Sequence, residues 1–280
     1  MVARQAERGG PRRRLPQGRR QPAWRPGIRG GPMTLADLAF LAGAGLLAGA
    51  VNALAGGGTL ISFPALMAFG YPSITASVTN AVALWPGYLG GVLGYRAELR
   101  GQRRRVVTLS AATTAGAAAG SALLLLTPGR LFDSLVPWLV TFASLALLAQ
   151  PWLRSRFGGA AGQAPSRLVY AGVFLGGCYG AYFNGGMGVL LLAVLGMFLH
   201  DDLHRVNAVR AALSLVISTV AVVAFALFGP VEWQAVAVVA PASLAGGFLG
   251  TRVARLMPPN VLRGVVVAFG LGVAAVLALR

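Results

Sequence analysis

The chain contains no lysine, only one cysteine and only seven acidic residues. Charged residues make up 11% of its 280 residues, against about 25% in a typical soluble domain. Hydrophobic residues make up 56%, so water is not the main solvent of this protein. Cys178 permits no intrachain disulfide and lies in an apolar run, where we expect it to pack as a small hydrophobic side chain.

The patterns that mark catalytic and metal sites are also missing. We find no Ser/His/Asp set, no paired buried carboxylates, no nucleotide-binding loop and no zinc-ligand spacing. His200 and His204 could bring two imidazoles to a metal, but no third ligand is evident, and the segment around Asp201 and Asp202 is predicted to be a surface loop. We therefore expect no enzyme activity, no cofactor and no metal.

Arginine supplies all 24 basic residues and a net charge of +17. Nine of these arginines lie in residues 1–32, which are rich in Pro, Gly and Gln and have no hydrophobic period. Such a tail cannot bury a core and is predicted to be disordered. Met33 is an alternative start of the protein; if the tail is translated, anionic lipid is its expected partner. Because the charge is concentrated in the tail and in loops, it does not indicate a nucleic acid partner.

Ten apolar segments follow the tail, and eight of them approach the 20 residues that a membrane-spanning helix needs. The fold class we predict is therefore all-α, a polytopic membrane protein. The eight long segments are 34–54, 74–95, 106–127, 132–152, 168–183, 206–229, 233–251 and 261–279. The two short segments, 59–69 and 188–199, each directly follow a glycine-rich break.

The two halves of the membrane part align. Gly56-Gly57-Gly58-Thr59-Leu60 matches Gly186-Met187-Gly188-Val189-Leu190, and Asn80-Ala81-Val82 matches Asn207-Ala208-Val209. We interpret the pattern as two repeats, 33–152 and 168–280, joined by a linker at 153–167. Non-helical backbone survives at membrane depth only beside a protein cavity, and paired breaks of this kind point to a binding site between inverted repeats.

Loop charge predicts the orientation. The loop 96–105 holds five arginines, and further arginines lie in 153–167 and at 252–263, whereas the loops 128–134 and 229–233 carry few. All the arginine-rich loops face the cytoplasm if each long helix, break and short helix forms a re-entrant hairpin. Each half then makes an odd number of crossings, so the halves are inverted. Segment 34–54 is long for half of a hairpin.

The breaks supply most of the candidate binding residues. Glycine lets a helix unwind and lets backbone approach an oxyanion closely, and a helix N-terminus offers free N–H groups to an anion. Glycine in membrane helices also serves close helix packing. The candidates in and beside the breaks are Asn52, Gly56, Gly57, Gly58, Thr59, Asn184, Gly185, Gly186 and Gly188.

Four further candidates lie early in the long helices that follow the breaks: Thr79, Asn80, Asn207 and Arg210. An intramembrane Asn either bonds another helix or contacts a ligand, and a hydroxyl such as that of Thr79 often bonds its own helix. Arg210 lies three residues after Asn207, so both face one side of a helix. A charge at membrane depth is costly and suggests function; the alternative is that Arg210 snorkels to the surface.

These residues resemble the sulfite exporter TauE/SafE family, also called the toluene sulfonate uptake permease family. The resemblance rests on Asn52 through Leu60 followed by Pro64, on Ser77 through Asn80, on Tyr179 through Gly188, on His204 through Arg210, and on Val231-Glu232-Trp233. It covers residues 33–280. The chain departs from the pattern at Met187, at Val194 where the first half has Pro64, and at Arg210, where Lys is common.

The resemblance implies a carrier of sulfite or organosulfonates in the bacterial inner membrane, with a small anionic solute and the lipid bilayer as partners. We expect a secondary transporter that works by alternating access around the two breaks. An anion channel or a non-transporting membrane scaffold are the alternatives. A homo-oligomer is compatible with the sequence.

Overall fold

The computed structural model describes residues 33–157, 167–199, 201 and 203–253, together with 264, 267, 268, 271 and 272. Within this part of the chain every regular element is a helix. The nine helices are α1 (Leu35–Ala55), α2 (Thr59–Phe69), α3 (Ser73–Gly94), α4 (Arg103–Leu126), α5 (Gly129–Phe157), α6 (Arg167–Tyr182), α7 (Met187–Phe198), α8 (Leu203–Phe228) and α9 (Trp233–Val253). The predicted tail, 1–32, and most of the predicted last helix, 261–279, lie outside the described residues.

The helices have the length and composition of a polytopic membrane protein, which confirms the predicted fold class. Four described stretches are long and apolar enough to cross a bilayer: Leu35–Asn52, Arg103–Leu126, Gly129–Ala149 and His204–Phe228. Trp233–Leu249 and the short helices α2 and α7 are apolar but shorter. Large apolar side chains such as Leu126, Trp138 and Phe228 remain exposed on the outside, as lipid-facing side chains do.

Local sequence explains where the breaks begin and end. Thr34 and Asp37 form a capping box that starts α1, and Gly56, at φ 74°, ends it in the left-handed conformation that glycine adopts without strain. Asn184 and Gly186 are also left-handed, at φ 67° and 71°. Asn is the side chain that best tolerates this region after glycine.

The helices differ from the sequence alignment and from the predicted segments at three places, although α7 (Met187–Phe198) agrees with the predicted short segment 188–199 to within one residue. The alignment placed Val189 opposite Thr59, the first residue of α2, but α7 begins two residues earlier, at Met187, because Asn184 and Gly186 complete the turn before it. The segment of His204 belongs to the first turn of α8 rather than to a loop; Asp201 pairs with Arg205 across that turn at 3.1 Å. Helix α5 continues to Phe157, beyond residue 152, where the predicted apolar segment ends.

The helices of the two halves pack in corresponding pairs. Helix α1 packs on α9 while α6 packs on α4, and α3 packs on α9 while α8 packs on α4. Helices α3 and α8 contact each other directly. Each short helix packs on the helix before it, α2 on α1 and α7 on α6. Each of these contacts is therefore matched by the contact of the equivalent helices, and the contact of α3 with α8 joins the two halves.

Two sets of loop contacts define the ends of the bundle. At one end, which we call the arginine-rich end, Arg105 of α4 pairs with Asp201 at 2.9 Å, and Gln102 donates to the carbonyl of Arg205. Arg96, Arg100, Arg103 and Arg104 are exposed there. The α3–α4 and α7–α8 loops therefore lie together.

At the other end, which we call the carboxylate end, Ser73 bonds Asp133, and the N–H of Glu232 donates to the Thr79 hydroxyl at 3.0 Å. The α2–α3, α4–α5 and α8–α9 connections thus lie together. Burial raises the pKa of the Glu232 carboxyl above its ordinary value. Burial, and secondly the nearby charge of Glu232, raises the pKa of Tyr71.

Glycine contacts give the direction of α1 and α6. A Cβ at Gly45 would meet Val239 and one at Gly49 would meet Ser243, so α1 and α9 run parallel. Since α9 starts at the carboxylate end, α1 starts there as well, and α2 returns to that end at Phe69. Helices α4 and α6 are also parallel. Helix α6 therefore starts at the arginine-rich end, and α7 returns to that end. Each long helix, break and short helix therefore turns back within the bundle.

Candidate functional site

The two breaks meet near the centre of the bundle. A Cβ added to Gly56 would lie 2.9 Å from the Cα of Gly188, and one added to Gly188 would lie 3.0 Å from the Cα of Gly56. Backbone from the first break thus touches backbone from the first turn of α7. The same two Cβ positions would lie 3.0 and 2.7 Å from Nη1 of Arg210. Only glycine at both positions leaves room for the guanidinium.

A small cavity opens at this meeting point. It offers about 20 Å³ of room to the centre of a water-sized sphere, and one water needs about 10–15 Å³ by this measure. Its lining comes from α1, α3, α7 and α8: Asn52, Gly56, Gly87, Tyr88, Gly91, Tyr95, Gly188, Arg210, Ala211 and Ser214. Tyr95 caps the end of α3 and Arg210 lies two turns into α8, so the cavity belongs to the half of the bundle near the arginine-rich end.

Arg210 is the only charged side chain that the described part of the chain contributes to this lining. It is 6% exposed, and its Nε has no hydrogen-bond partner. Among the described residues no carboxylate pairs with Arg210; Asp201, which pairs with Arg105 and Arg205, lies at the arginine-rich end. A buried charge that is not compensated costs several kcal/mol. Arg210 therefore does not snorkel to the surface, and its charge faces the cavity.

Asn52 adds a second donor. Its Oδ1 accepts the N–H of Gly58 at 2.8 Å, and its buried Nδ2 lies beside the Tyr88 hydroxyl without forming a well-aligned hydrogen bond. The amide is thereby oriented, since its acceptor is used within the break and its donor is left over. The unused polar groups of Arg210 and Asn52 are all hydrogen-bond donors. Such a lining suits a solute that is negatively charged and offers acceptor oxygens.

Tyr88 of α3 connects the cavity to the second break. Its hydroxyl donates to Oδ1 of Asn184 at 2.8 Å, and Asn184 is the residue held at positive φ. Tyr179 supports the same break through a bond from its hydroxyl to the carbonyl of Gly185 at 2.7 Å. The second break is therefore held by two tyrosines, whereas the first is held by an asparagine.

The structure brings four of the thirteen sequence-predicted residues to the cavity wall: Asn52, Gly56, Gly188 and Arg210. The others take supporting positions. A Cβ at Gly57 would point to Leu147 of α5, and one at Gly58 to Ala48 of α1, so neither glycine is part of the cavity lining. A Cβ at Gly185 would first meet the ring of Phe183, and one at Gly186 would meet Ala143 of α5.

The remaining predicted residues bond elsewhere or lie outside the lining. Thr59 accepts a hydrogen bond from Asn80 at 3.3 Å, which joins α2 to α3. Thr79 accepts from Glu232 at the carboxylate end, and half-buried Asn207 is not part of the lining. Asn184 reaches the cavity only through Tyr88.

The sequence reasoning missed the contribution of α3, namely Gly87, Tyr88, Gly91 and Tyr95, and missed Ser214 on α8. Small residues at 87 and 91, one helical turn apart, were the available signal. Spacing of this kind places small residues on one helix face. It does not say which helix that face meets.

Replacing Tyr88 by Phe should lower solute flux by roughly three- to tenfold, because Asn184 loses its donor and the second break loses one of its two tyrosine supports. The flux measurement in vesicles described below checks this. The matched control is Tyr170→Phe, at a half-buried position of α6 outside the cavity lining, where flux should stay at the level of the unmodified protein. Equal flux in both variants would contradict the supporting role of Tyr88.

The chain is similar to a known family of membrane proteins. Residues 41–277 match the model of the family described as "Sulfite exporter TauE/SafE". A protein of Haemophilus influenzae described as "Probable membrane transporter protein" is 26% identical over 242 residues, which is 82% of this chain and 90% of the relative. No solved structure matches the chain at a significant level. With a family match over most of its length, the chain belongs to the sulfite exporter TauE/SafE family.

Proposed function

We propose that the protein is a secondary transporter that carries a small anion, of the sulfite or sulfonate type, across the bacterial inner membrane. The observation that carries this proposal is Arg210, a buried cation without a carboxylate partner among the described residues, facing a cavity where two glycine-rich breaks meet. An oxyanion would supply the missing countercharge. Its oxygens would accept from Arg210, from Asn52 and from the N–H of Gly188, since the neighbouring N–H groups of α7 already donate within the break.

The arrangement of the helices supports alternating access as the mechanism. The contacts of one half have counterparts in the other, and the breaks belong to units that turn back within the bundle. Inverted repeats with a shared central site are the usual basis of such transport. The cavity holds only one or two waters, so α3 and α8 must separate slightly when an anion of four or more heavy atoms binds.

The arginine-rich end faces the cytoplasm in this proposal, as the positive-inside rule requires. The cavity then lies in the cytoplasmic half of the protein. Outward movement of an anion is favoured by an inside-negative potential, at about 2.3 kcal/mol per charge per 100 mV. Export is therefore the energetically easier direction.

The test is flux of radiolabelled sulfite in vesicles that contain the purified protein, with the membrane potential set by a potassium gradient and valinomycin. We expect saturable sulfite flux that is faster when the potential drives the anion, with thiosulfate, an organosulfonate and acetate as competitors. Flux that rises linearly with sulfite concentration would indicate an anion channel instead. No flux with any of these anions, from protein that is folded, would contradict the proposal and favour a scaffold.

A further inference from the structure

Helix α8 carries a row of polar residues that extends beyond the cavity. Arg210, Ser214 and Ser218 are spaced four residues apart, which places them along one side of the helix. Arg210 and Ser214 line the cavity. Ser218 is 3% exposed, and its hydroxyl has no hydrogen-bond partner among the described residues. It lies one turn closer to the carboxylate end.

Helix α3 runs past α8 in the opposite direction. Gly87 and Gly91 line the cavity, and Asn80, two turns before Gly87, lies on the same side of α3, where its Nδ2 donates to the Thr59 hydroxyl of α2. The Oδ1 of Asn80 is buried and also lacks a partner. Helices α3 and α8 are antiparallel and in contact, and Trp85 donates to the Thr219 hydroxyl at 2.9 Å. Because Ser218 directly precedes Thr219 and Trp85 lies just before Gly87, this bond places Ser218 at the level of the turn of α3 that precedes Gly87.

An unpartnered polar group in a buried position costs about 1–3 kcal/mol and calls for an explanation. Here Ser218 continues the row of cavity residues along α8, where that helix contacts α3. We propose that the contact between α3 and α8 beyond the cavity is the route by which the anion moves to the carboxylate end, and that the Ser218 hydroxyl is the next hydrogen-bond donor on this route. The inference rests on the proposed function.

The route is closed in this conformation. Phe225, on the same side of α8 as Ser214 and three turns further along, is fully buried. Near the carboxylate end Val78 packs so closely on Gly229 that a Cβ there would lie 2.8 Å from it. The anion can pass only when α3 and α8 separate, whereas its resting position beside Arg210 does not need Ser218.

The variant Ser218→Ala separates transit from binding. Removal of a hydroxyl without a partner leaves no group unpaired, so the thermal unfolding midpoint should not fall. Sulfite should raise that midpoint as much as we expect it to do in the unmodified protein, because ligand binding to the cavity would stabilise the folded state. Sulfite flux in vesicles should fall by about tenfold, which corresponds to one hydrogen bond to a charged group.

The control is Ser121→Ala on α4, where the serine is equally buried and its hydroxyl also lacks a partner; its flux should be unchanged. Unchanged flux in Ser218→Ala would overturn the proposal. A lower unfolding midpoint would also overturn it, because Ser218 would then serve folding. A loss of the sulfite effect on the midpoint that matches the loss of flux would do the same, because Ser218 would then belong to the resting site. If the unmodified protein neither moves any anion nor is stabilised by sulfite, the proposed function itself fails.

Discussion

The variant Arg210→Gln is expected to lose sulfite flux by at least about 100-fold. The guanidinium is the only charge that the described residues bring to the cavity lining. Hydrogen bonds to charged groups contribute about 1.5–3 kcal/mol each, so the loss of two of them corresponds to a factor of about 100. Because no carboxylate among the described residues is left behind, the thermal unfolding midpoint should stay the same or rise. The checks are vesicle flux and thermal unfolding in detergent.

The matched control is Arg103→Gln, at an exposed position where α4 begins, which should keep both properties. Arg210→Lys retains the charge without the planar fork of donors and should fall between the two. Flux of Arg210→Gln close to that of the unmodified protein would contradict an anion site at this cavity. A large loss of thermal stability would instead mean that Arg210 has a partner in the folded protein.

The second large effect is on folding and concerns the contact of α1 with α9. A Cβ at Gly49 would overlap the backbone carbonyl of Ser243, and backbone cannot move aside as a side chain can. Gly49→Ala must push the helices apart. Overpacking costs typically 1–3 kcal/mol, so we expect the unfolding midpoint to fall by roughly 3–10 °C, with less folded protein recovered from membranes.

Gly43 is the control on the same helix. It is exposed, and a Cβ there meets nothing within 4 Å, so Gly43→Ala should leave the midpoint unchanged or raise it slightly through helix propensity. The equivalent contact of α4 with α6 offers a repeat of the test, since a Cβ at Gly120 would overlap the carbonyl of Cys178. Equal midpoints for Gly43→Ala and Gly49→Ala would show that α1 and α9 are not in close contact.

Much of the fold follows from local pattern. Long apolar runs predict membrane helices because each helix satisfies its own backbone groups in lipid. The glycines at 56–58 and the Asn184-Gly185-Gly186 run mark the two interruptions, and the structure ends α1 and starts α7 beside them. The exact start of α7 was not predictable from an alignment of glycines, since Asn184 shares the left-handed turn with Gly186.

The site was only partly predictable. Arg210 stands out in the sequence because a charge in an apolar run needs a reason, and Asn52 and Gly56 stand out beside a break. Gly57 could not be told apart from Gly56, although it faces Leu147 of α5 rather than the cavity. Tyr88 looked like any aromatic residue in a membrane helix.

What the sequence by itself determined is the set of helices, the two interruptions and the presence of a costly cation near one of them, because these depend on neighbours in the chain. Only the tertiary structure decided that Gly56 meets Gly188, that Arg210 from α8 faces both, and that α3 closes the cavity with Tyr88. Periodicity gives each helix a face. Which faces meet depends on the packing of helices that are distant in sequence, and the cavity exists only where four of them converge.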